Sequence, residues 1–361
     1  MDAHKDWAAE APPRAIAFTG SWRDYLPIAI TNALLTIVTL GIYRFWATAR
    51  QRRYLWAHTQ VIDDTLEWTG TGKEMFLGFL IVMAVMVPFF LFVQFLFPAL
   101  LARGKAEAAG GLFFLFEIAI LYLVGVARFR ALRYRLSRSW WHGIRGGSSD
   151  PGWNYGGEYL GRNALALITM WIMFPWAATR LWNSRWNAMS FGQQQFRVDI
   201  DAEGLKARWV LVYAAFFGFF IAMLAIFASM MVASHGDPAK PQMSAVVIAL
   251  LALFYLAIPL ATLNWYAAFY RKGVGALTLG ELQFGFEAST WDWLKLVLGT
   301  LDLIVVTLGF GLTYAGYRNW AFMVRHLRLY GNVDVSMLEQ STARAPTEAE
   351  GFADAFDVGA F

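Results

Sequence analysis

Cysteine is absent from the chain, which excludes disulfides, thiolate metal sites and cysteine nucleophiles. Charge is scarce: Asp, Glu, Lys and Arg make up 16% of 361 residues, against about 25% in a soluble domain. Catalytic signatures are missing as well. Five histidines (His4, His58, His142, His235, His326) are scattered, with no His-Glu-x-x-His and no carboxylate–histidine spacing suited to zinc. There is no Gly-x-Ser-x-Gly, and Thr69-Gly70-Thr71-Gly72 reads as a turn. Asp63-Asp64 and Asp199-x-Asp201 could ligate a cation, but paired acids in polar turns are ordinarily solvated. The expectation is a non-enzyme with no cofactor and no metal.

What is present is apolar and aromatic. The chain is 58% hydrophobic, with 17 tryptophans and 14 tyrosines, rings that favour the membrane–water interface. Lipid is the solvent this composition asks for. The net charge of +4 fits arginines meeting anionic headgroups on cytoplasmic loops, not nucleic acid. The first two dozen residues lack the apolar core of a cleavable signal.

A helix needs about 20 apolar residues to cross the hydrocarbon. Met75–Leu101, Gly111–Phe129, Trp209–Ser234 and Met243–Phe269 meet this as two hairpins. Leu26–Ala47, Asn163–Ala178 and Trp293–Tyr317 meet it less well, and they are related. Val38-Thr39-Leu40-Gly41 matches Val306-Thr307-Leu308-Gly309, and Trp46-x-x-x-Arg50 and Tyr314-x-x-x-Arg318 come after them at one offset. The middle copy lacks Thr-Leu-Gly but keeps Trp176-x-x-x-Arg180 and Arg185-Trp186.

Lys and Arg are dense around 50–53, 128–145, 180–208 and after 318, and sparse at 103–110 and 235–242. Four crossings, with the three aromatic–arginine segments re-entrant or interfacial, would place every dense loop in the cytoplasm. Seven crossings would make the two units inverted repeats. The predicted fold class is thus an all-α polytopic membrane protein: two transmembrane hairpins, three related segments and small cytoplasmic β-like hairpins at His58–Trp68 and Phe191–Ile200. Its expected parts are a cytoplasmic tail 1–24, membrane units 25–147 and 148–283, a partial repeat 284–335 and a disordered acidic tail 336–361. Both termini are expected in the cytoplasm.

Several motifs carry a family resemblance: Phe18-Thr19-Gly20, Asn32 with Leu34-Leu35-Thr36, Thr39–Tyr43, Trp46-Ala47 and Arg53-Tyr54. Later come the arginine-rich 128–145 stretch, Trp186 with Ser190-Phe191-Gly192, and Phe196-Arg197-Val198. The chain resembles the YjgN-like family of bacterial inner-membrane proteins, a domain-of-unknown-function family, over most of its length up to the acidic tail. Where that family has proline before the first tryptophan, this chain has Phe45. The resemblance implies an inner-membrane location and no established activity.

Two sets of residues are candidates for function. Arg50, Arg53, Arg180, Arg185 and Arg318 could form a ring for an anionic lipid headgroup or substrate, since Arg grips phosphate bidentately. Ordinary interfacial anchoring explains the same composition. Glu117 lies inside an apolar segment, where a carboxylate serves a proton or cation relay or a structural hydrogen bond. Asn32 and Asn264 read as interhelical hydrogen-bonders; Lys295 and Asp302, two turns apart on one face, could be a gating pair, but Lys295 lies near a segment end, where a snorkelling lysine is the ordinary reading. Phe352, Phe356 and Phe361, with Asp354 and Asp357, could dock on a partner or on the basic loops. The functional expectation is passage of a small or lipid-like solute, with a non-transporting scaffold that recruits a protein partner as the alternative.

Overall fold

The computed structural model describes residues 15–233, 245–331 and 339–341. The N-terminal tail to residue 14, the sparse loop at 235–242 and most of the acidic tail lie outside the described residues. The chain alternates helical pairs with short strands. Strand β1 (Ile16–Phe18) leads into α1 (Trp22–Val38) and α2 (Arg44–Ala57), then β2 (Thr59–Val61), β3 (Asp64–Thr65) and β4 (Glu67–Trp68). The first long hairpin comes next: α3 (Gly72–Leu91), a π-helical turn at Phe92–Leu96, α4 (Phe97–Ala102) and α5 (Ala106–Arg138). Thr71 caps α3 and forms a reciprocal capping box with Glu74. The π turn has a simple cause. Pro98 lacks an N–H, and the Phe97 N–H reaches back to Phe92.

Strands β5 (Ser139–Trp141) and β6 (Ile144–Gly147) precede α6 (Trp153–Ile168) and α7 (Phe174–Asn187). Next are β7 (Ser190–Phe191), β8 (Gln194–Arg197) and the second long hairpin, α8 (Lys206–Ala233) and α9 (Ala245–Gly275). The described fold ends with β9 (Thr278–Leu279), β10 (Leu282–Phe286), α10 (Thr290–Val306), α11 (Leu312–His326) and β11 (Leu327–Tyr330).

Strand pairing corrects the all-α expectation. Strands β4 to β11 form one eight-stranded antiparallel meander in chain order, and β1 to β3 form a second sheet. The isolated polar hairpins expected from sequence are parts of these sheets. Connections alternate between a tight turn and a helical hairpin. Each helical hairpin is therefore closed at its base by two strands bonded to one another: β1 with β2, β4 with β5, β6 with β7, β8 with β9, and β10 with β11. Both ends of every hairpin thus return to the sheet layer.

The three aromatic–arginine segments are not single helices. Each breaks into two at the same turn, at Thr39, Thr169 and Thr307. The threonine Oγ1 donates to the carbonyl four residues back (Leu35, Leu165, Leu303) at 2.7, 2.9 and 2.6 Å. The same oxygen accepts the N–H four residues on (Tyr43, Met173, Gly311) at 2.9, 3.3 and 2.6 Å. The next two residues adopt left-handed backbone: Leu40 and Gly41, Met170 and Trp171, Leu308 and Gly309. Glycine relieves this in two copies, whereas Trp171 accepts it at φ 67°. The middle copy therefore keeps the motif that its side chains conceal.

The tips of these turns are apolar and bare. Leu40 is 94% exposed, Leu308 91% and Met170 67%. Four longer helices, Gly72–Ala102, Ala106–Arg138, Lys206–Ala228 and Leu251–Gly275, are long and apolar enough to cross a membrane. At about 1.5 Å per residue, the 31 residues of the first span about 46 Å, and the 17 of α1 about 26 Å.

First and last hairpins meet. Tyr25 donates to the Thr313 carbonyl at 3.2 Å, Tyr317 to that of Gly20 at 3.0 Å, and Trp320 Nε1 to Thr59 Oγ1 at 2.8 Å. Trp56 stacks on Trp320 at 4.0 Å. These contacts belong to one aromatic core around Tyr25, Trp56 and Tyr134. A second core gathers Phe129, Trp182, Trp265 and Phe286 from α5, α7, α9 and β10.

Candidate functional site

The shared turn fixes the depth of the side chains below it. Trp46, Trp176 and Tyr314 each stand seven residues after the turn threonine, and Arg50, Arg180 and Arg318 eleven after it. Counted from Tyr43, Met173 and Gly311, where the descending helices begin, each arginine lies about 10 Å down the helix axis. Arg50 and Arg180 are exposed, and Arg318 packs its guanidinium over Gly299 of α10. Arg53, one turn below Arg50, is exposed too. Arg50, Arg180 and Arg318 thus hold one equivalent belt position below the apolar tip of each hairpin, exposed in the first two and half-buried in Arg318.

Arg185 departs from the belt. It lies in the last turn of α7, is only 3% exposed and stacks over Trp182 at 5.9 Å. Burial pushes its guanidinium pKa down, and Arg128 and Arg135 nearby add to that, while Tyr155 and Tyr270 oppose it. Arg128 and Arg135 are seven apart on α5, hence on one helix face. That spacing was the signal available in the sequence for a second basic group. Among the described residues every buried charged side chain is an arginine: Arg52, Arg133, Arg135 and Arg185.

The neighbours of this cluster are well defined. Arg133 Nη1 donates to the Asp150 carbonyl at 2.9 Å, and Arg130 Nε to that of Pro151 at 3.0 Å. Arg52 lies over Trp68 at 4.8 Å. Arg138 pairs with Glu74 at 3.0 Å, and Tyr134 donates to the same carboxylate at 2.8 Å. Arg145 in β6 stands beside Arg138, and burial followed by that second charge lowers its pKa. Arginines thus follow one another along the C-terminal half of α5, from Arg128 to Arg138, and Arg145 of β6 stands beside the last of them.

The isolated polar residues have different fates. Glu117 is exposed on α5 and faces away from the helix packing. Asn32 is buried, and its Nδ2 donates to the Ala47 carbonyl at 3.2 Å, tying α1 to α2. Asn264 Oδ1 accepts from Arg208 at 2.7 Å and from Thr290 at 3.2 Å, joining α8, α9 and α10. Both asparagines are interhelical links. Lys295 rests over Trp291 at 5.6 Å, and Asp302 is exposed. Asp63 accepts from His142 at 2.9 Å across two sheet turns. Among the described residues no three His, Asp or Glu side chains group to hold a metal. What the arrangement offers chemically is guanidinium at two depths, outward in the belt and inward in the cluster, suited to phosphate or carboxylate oxygens.

Comparison with known proteins supplies a family. The family model described as "Bacterial protein of unknown function (DUF898)" matches residues 13–355. The chain is 22% identical to "Inner membrane protein YjgN" of Salmonella typhimurium, with 92% of each chain covered. It is 29% identical to the protein of the same name from Escherichia coli O157:H7 over 38% of this chain, a match spanning 31% of that relative. No solved structure matches.

Proposed function

The chain belongs to the DUF898 family, and from that premise we propose a multi-pass bacterial inner-membrane protein that passes a lipid-like solute with an anionic headgroup. The observation that supports this best is the trio of equivalent hairpins. Their apolar tips stand about 10 Å above the belt arginines. With those arginines at the headgroup boundary, the tips reach at most about 10 Å into a hydrocarbon core roughly 30 Å thick, and so stay within one leaflet. The two longer hairpins cross, giving four crossings with all strands and both dense loops around α6 and α7 in the cytoplasm. Three wedges confined to one leaflet disturb lipid packing there and shorten the polar path for a headgroup. The belt and the buried cluster supply positive charge along that path.

The test is reconstitution in vesicles containing phosphatidylglycerol and a fluorescent headgroup-labelled phospholipid. Protein-dependent loss of outer-leaflet fluorescence to an impermeant quencher beyond the starting half is expected. Labelled lipid that stays in its leaflet would reject the reading. The scaffold alternative draws on one observation, the docking of residues 339–341 on the sheet turns, and it predicts no lipid movement.

A further inference from the structure

The descending helices of the two long hairpins, α5 and α9, present matching stripes. On α5, Arg128 follows Glu117 by eleven residues, close to three whole turns, so both lie on one face. On α9, Tyr255, Pro259, Thr262, Tyr266 and Tyr270 follow at steps of three or four, again one face. The stripes approach each other at the base. Arg128 lies near enough for its charge to act on Tyr266 and Tyr270, and α5 and α9 place Phe129 and Phe269 in one core. Burial falls away upward along both: Tyr270 is buried and Arg128 half-buried, while Glu117 and Tyr255 are exposed. Two faces that meet at the base and stand uncovered above bound a groove.

Opposite charges stand at its two ends. At the lower end the buried Nε of Arg128 has no hydrogen-bond partner among the described residues, and the guanidinium lies over Tyr159 of α6 at 5.9 Å. Glu117 stands about 16 Å higher along the axis. Tyr255 precedes Tyr266 by the same eleven residues, so it is level with Glu117. Pro259 has no N–H to give, and the Tyr255 carbonyl four residues before it loses its helical donor. A carboxylate and a freed carbonyl therefore occur at one height of the groove. Phenylalanines 113, 114 and 116 flank Glu117 in a helix long and apolar enough to cross a membrane. A carboxylate at such depth is costly unless a cation meets it. A purely anionic headgroup rising from Arg128 would be repelled there. One that also carries an ammonium brings three N–H donors to the two acceptors.

We infer that the α5–α9 groove takes a lipid whose headgroup carries both a phosphate and a primary ammonium, with Glu117 selecting it. Arg128 meets the phosphate and Glu117 the ammonium, in succession, because the two stations are too far apart for one headgroup to span. The selection during transport rests on the lipid-passage reading above; the binding stands on the groove itself.

Two readouts on the full chain keep binding and transport apart. In vesicles of phosphatidylglycerol alone, a hydrophobic carbodiimide should modify Glu117, read by mass spectrometry as the acylurea. Adding phosphatidylethanolamine should cut that yield several-fold. An unchanged yield, or no modification in either vesicle, overturns the inference. Equal protection by water-soluble phosphoethanolamine overturns the lipid as ligand. The second readout is lipid movement with acyl-chain-labelled lipids, which leave the headgroups native. Phosphatidylethanolamine should move several-fold faster than phosphatidylglycerol. Glu117→Gln, at an exposed position, should bring the ratio towards one, and Glu117→Asp should keep most of it. A ratio that ignores Glu117→Gln overturns the selection. Protection in a protein that moves no lipid rejects the function reading alone, and lipid movement with neither protection nor preference rejects this inference alone.

Discussion

Tyr25 and Tyr317 stack with ring centroids 5.0 Å apart and planes inclined by 21°, joining the first hairpin to the last. Tyr25 is fully buried, and each hydroxyl is spent on a backbone carbonyl of the other's neighbourhood, Thr313 and Gly20. The two ends of the described fold therefore hold one another, and loss of this contact should be felt across both.

Tyr25→Ala should lower stability by about 3–5 kcal/mol, the range for emptying a large aromatic site. Tyr25→Phe should cost about 1 kcal/mol, for one hydrogen bond. Thermal unfolding in detergent measures both. Equal effects of the two substitutions would show that ring packing contributes nothing to the closure.

The turn threonines should be interchangeable in effect. Thr39→Val, Thr169→Val or Thr307→Val removes a hydroxyl that both donates and accepts within the turn. Each should cost about 1–3 kcal/mol, because a backbone N–H is left unpaired at an apolar tip. Serine at the same sites should restore most of it. A valine as stable as the native protein in all three copies would remove the hydroxyl from the explanation of the shared turn.

Single cysteines at Leu40, Met170 and Leu308 should resist an impermeant maleimide applied from outside intact cells. Reporters fused after Arg145 and Arg197 should both read as cytoplasmic. Labelling at the tips from outside, or reporters on opposite faces, would restore the seven-crossing topology.

Acid should loosen the sheet side. Asp63, Asp201 and Asp292 have pKa values below the ordinary carboxylate range, chiefly through hydrogen bonds from His142, Lys272 and Ser289 respectively. A carboxylate depressed by folding adds stability above its unfolded pKa, near 4, and loses it as pH falls through the folded value. Unfolding midpoints should therefore drop below about pH 4, and Asp63→Asn combined with Asp201→Asn should shrink the drop. An unchanged acid limb in that double variant would clear both contacts of any role.

The four long apolar helices are legible in the sequence because one segment of about 20 apolar residues carries its own signal. The relation among the three aromatic–arginine segments is partly legible, in Thr39-Leu40-Gly41 and Thr307-Leu308-Gly309. Thr169 escapes notice because Met170-Trp171 replaces Leu-Gly, although hydroxyl and backbone rather than those side chains make the turn. Spacing alone groups Arg185 with Arg50 and Arg180, and burial separates them.

By itself the sequence determined a lipid-solvated chain, its long helices and its repeated aromatic–arginine elements, since hydropathy and spacing are local properties. Only the tertiary structure decided that those elements are hairpins with both ends in one layer. Strands as short as Trp68 and its neighbour have no recognisable pattern alone. Their partner, here Ser139 across a whole helical hairpin, is what makes them strands, and pairing over that separation is written in no single stretch of residues.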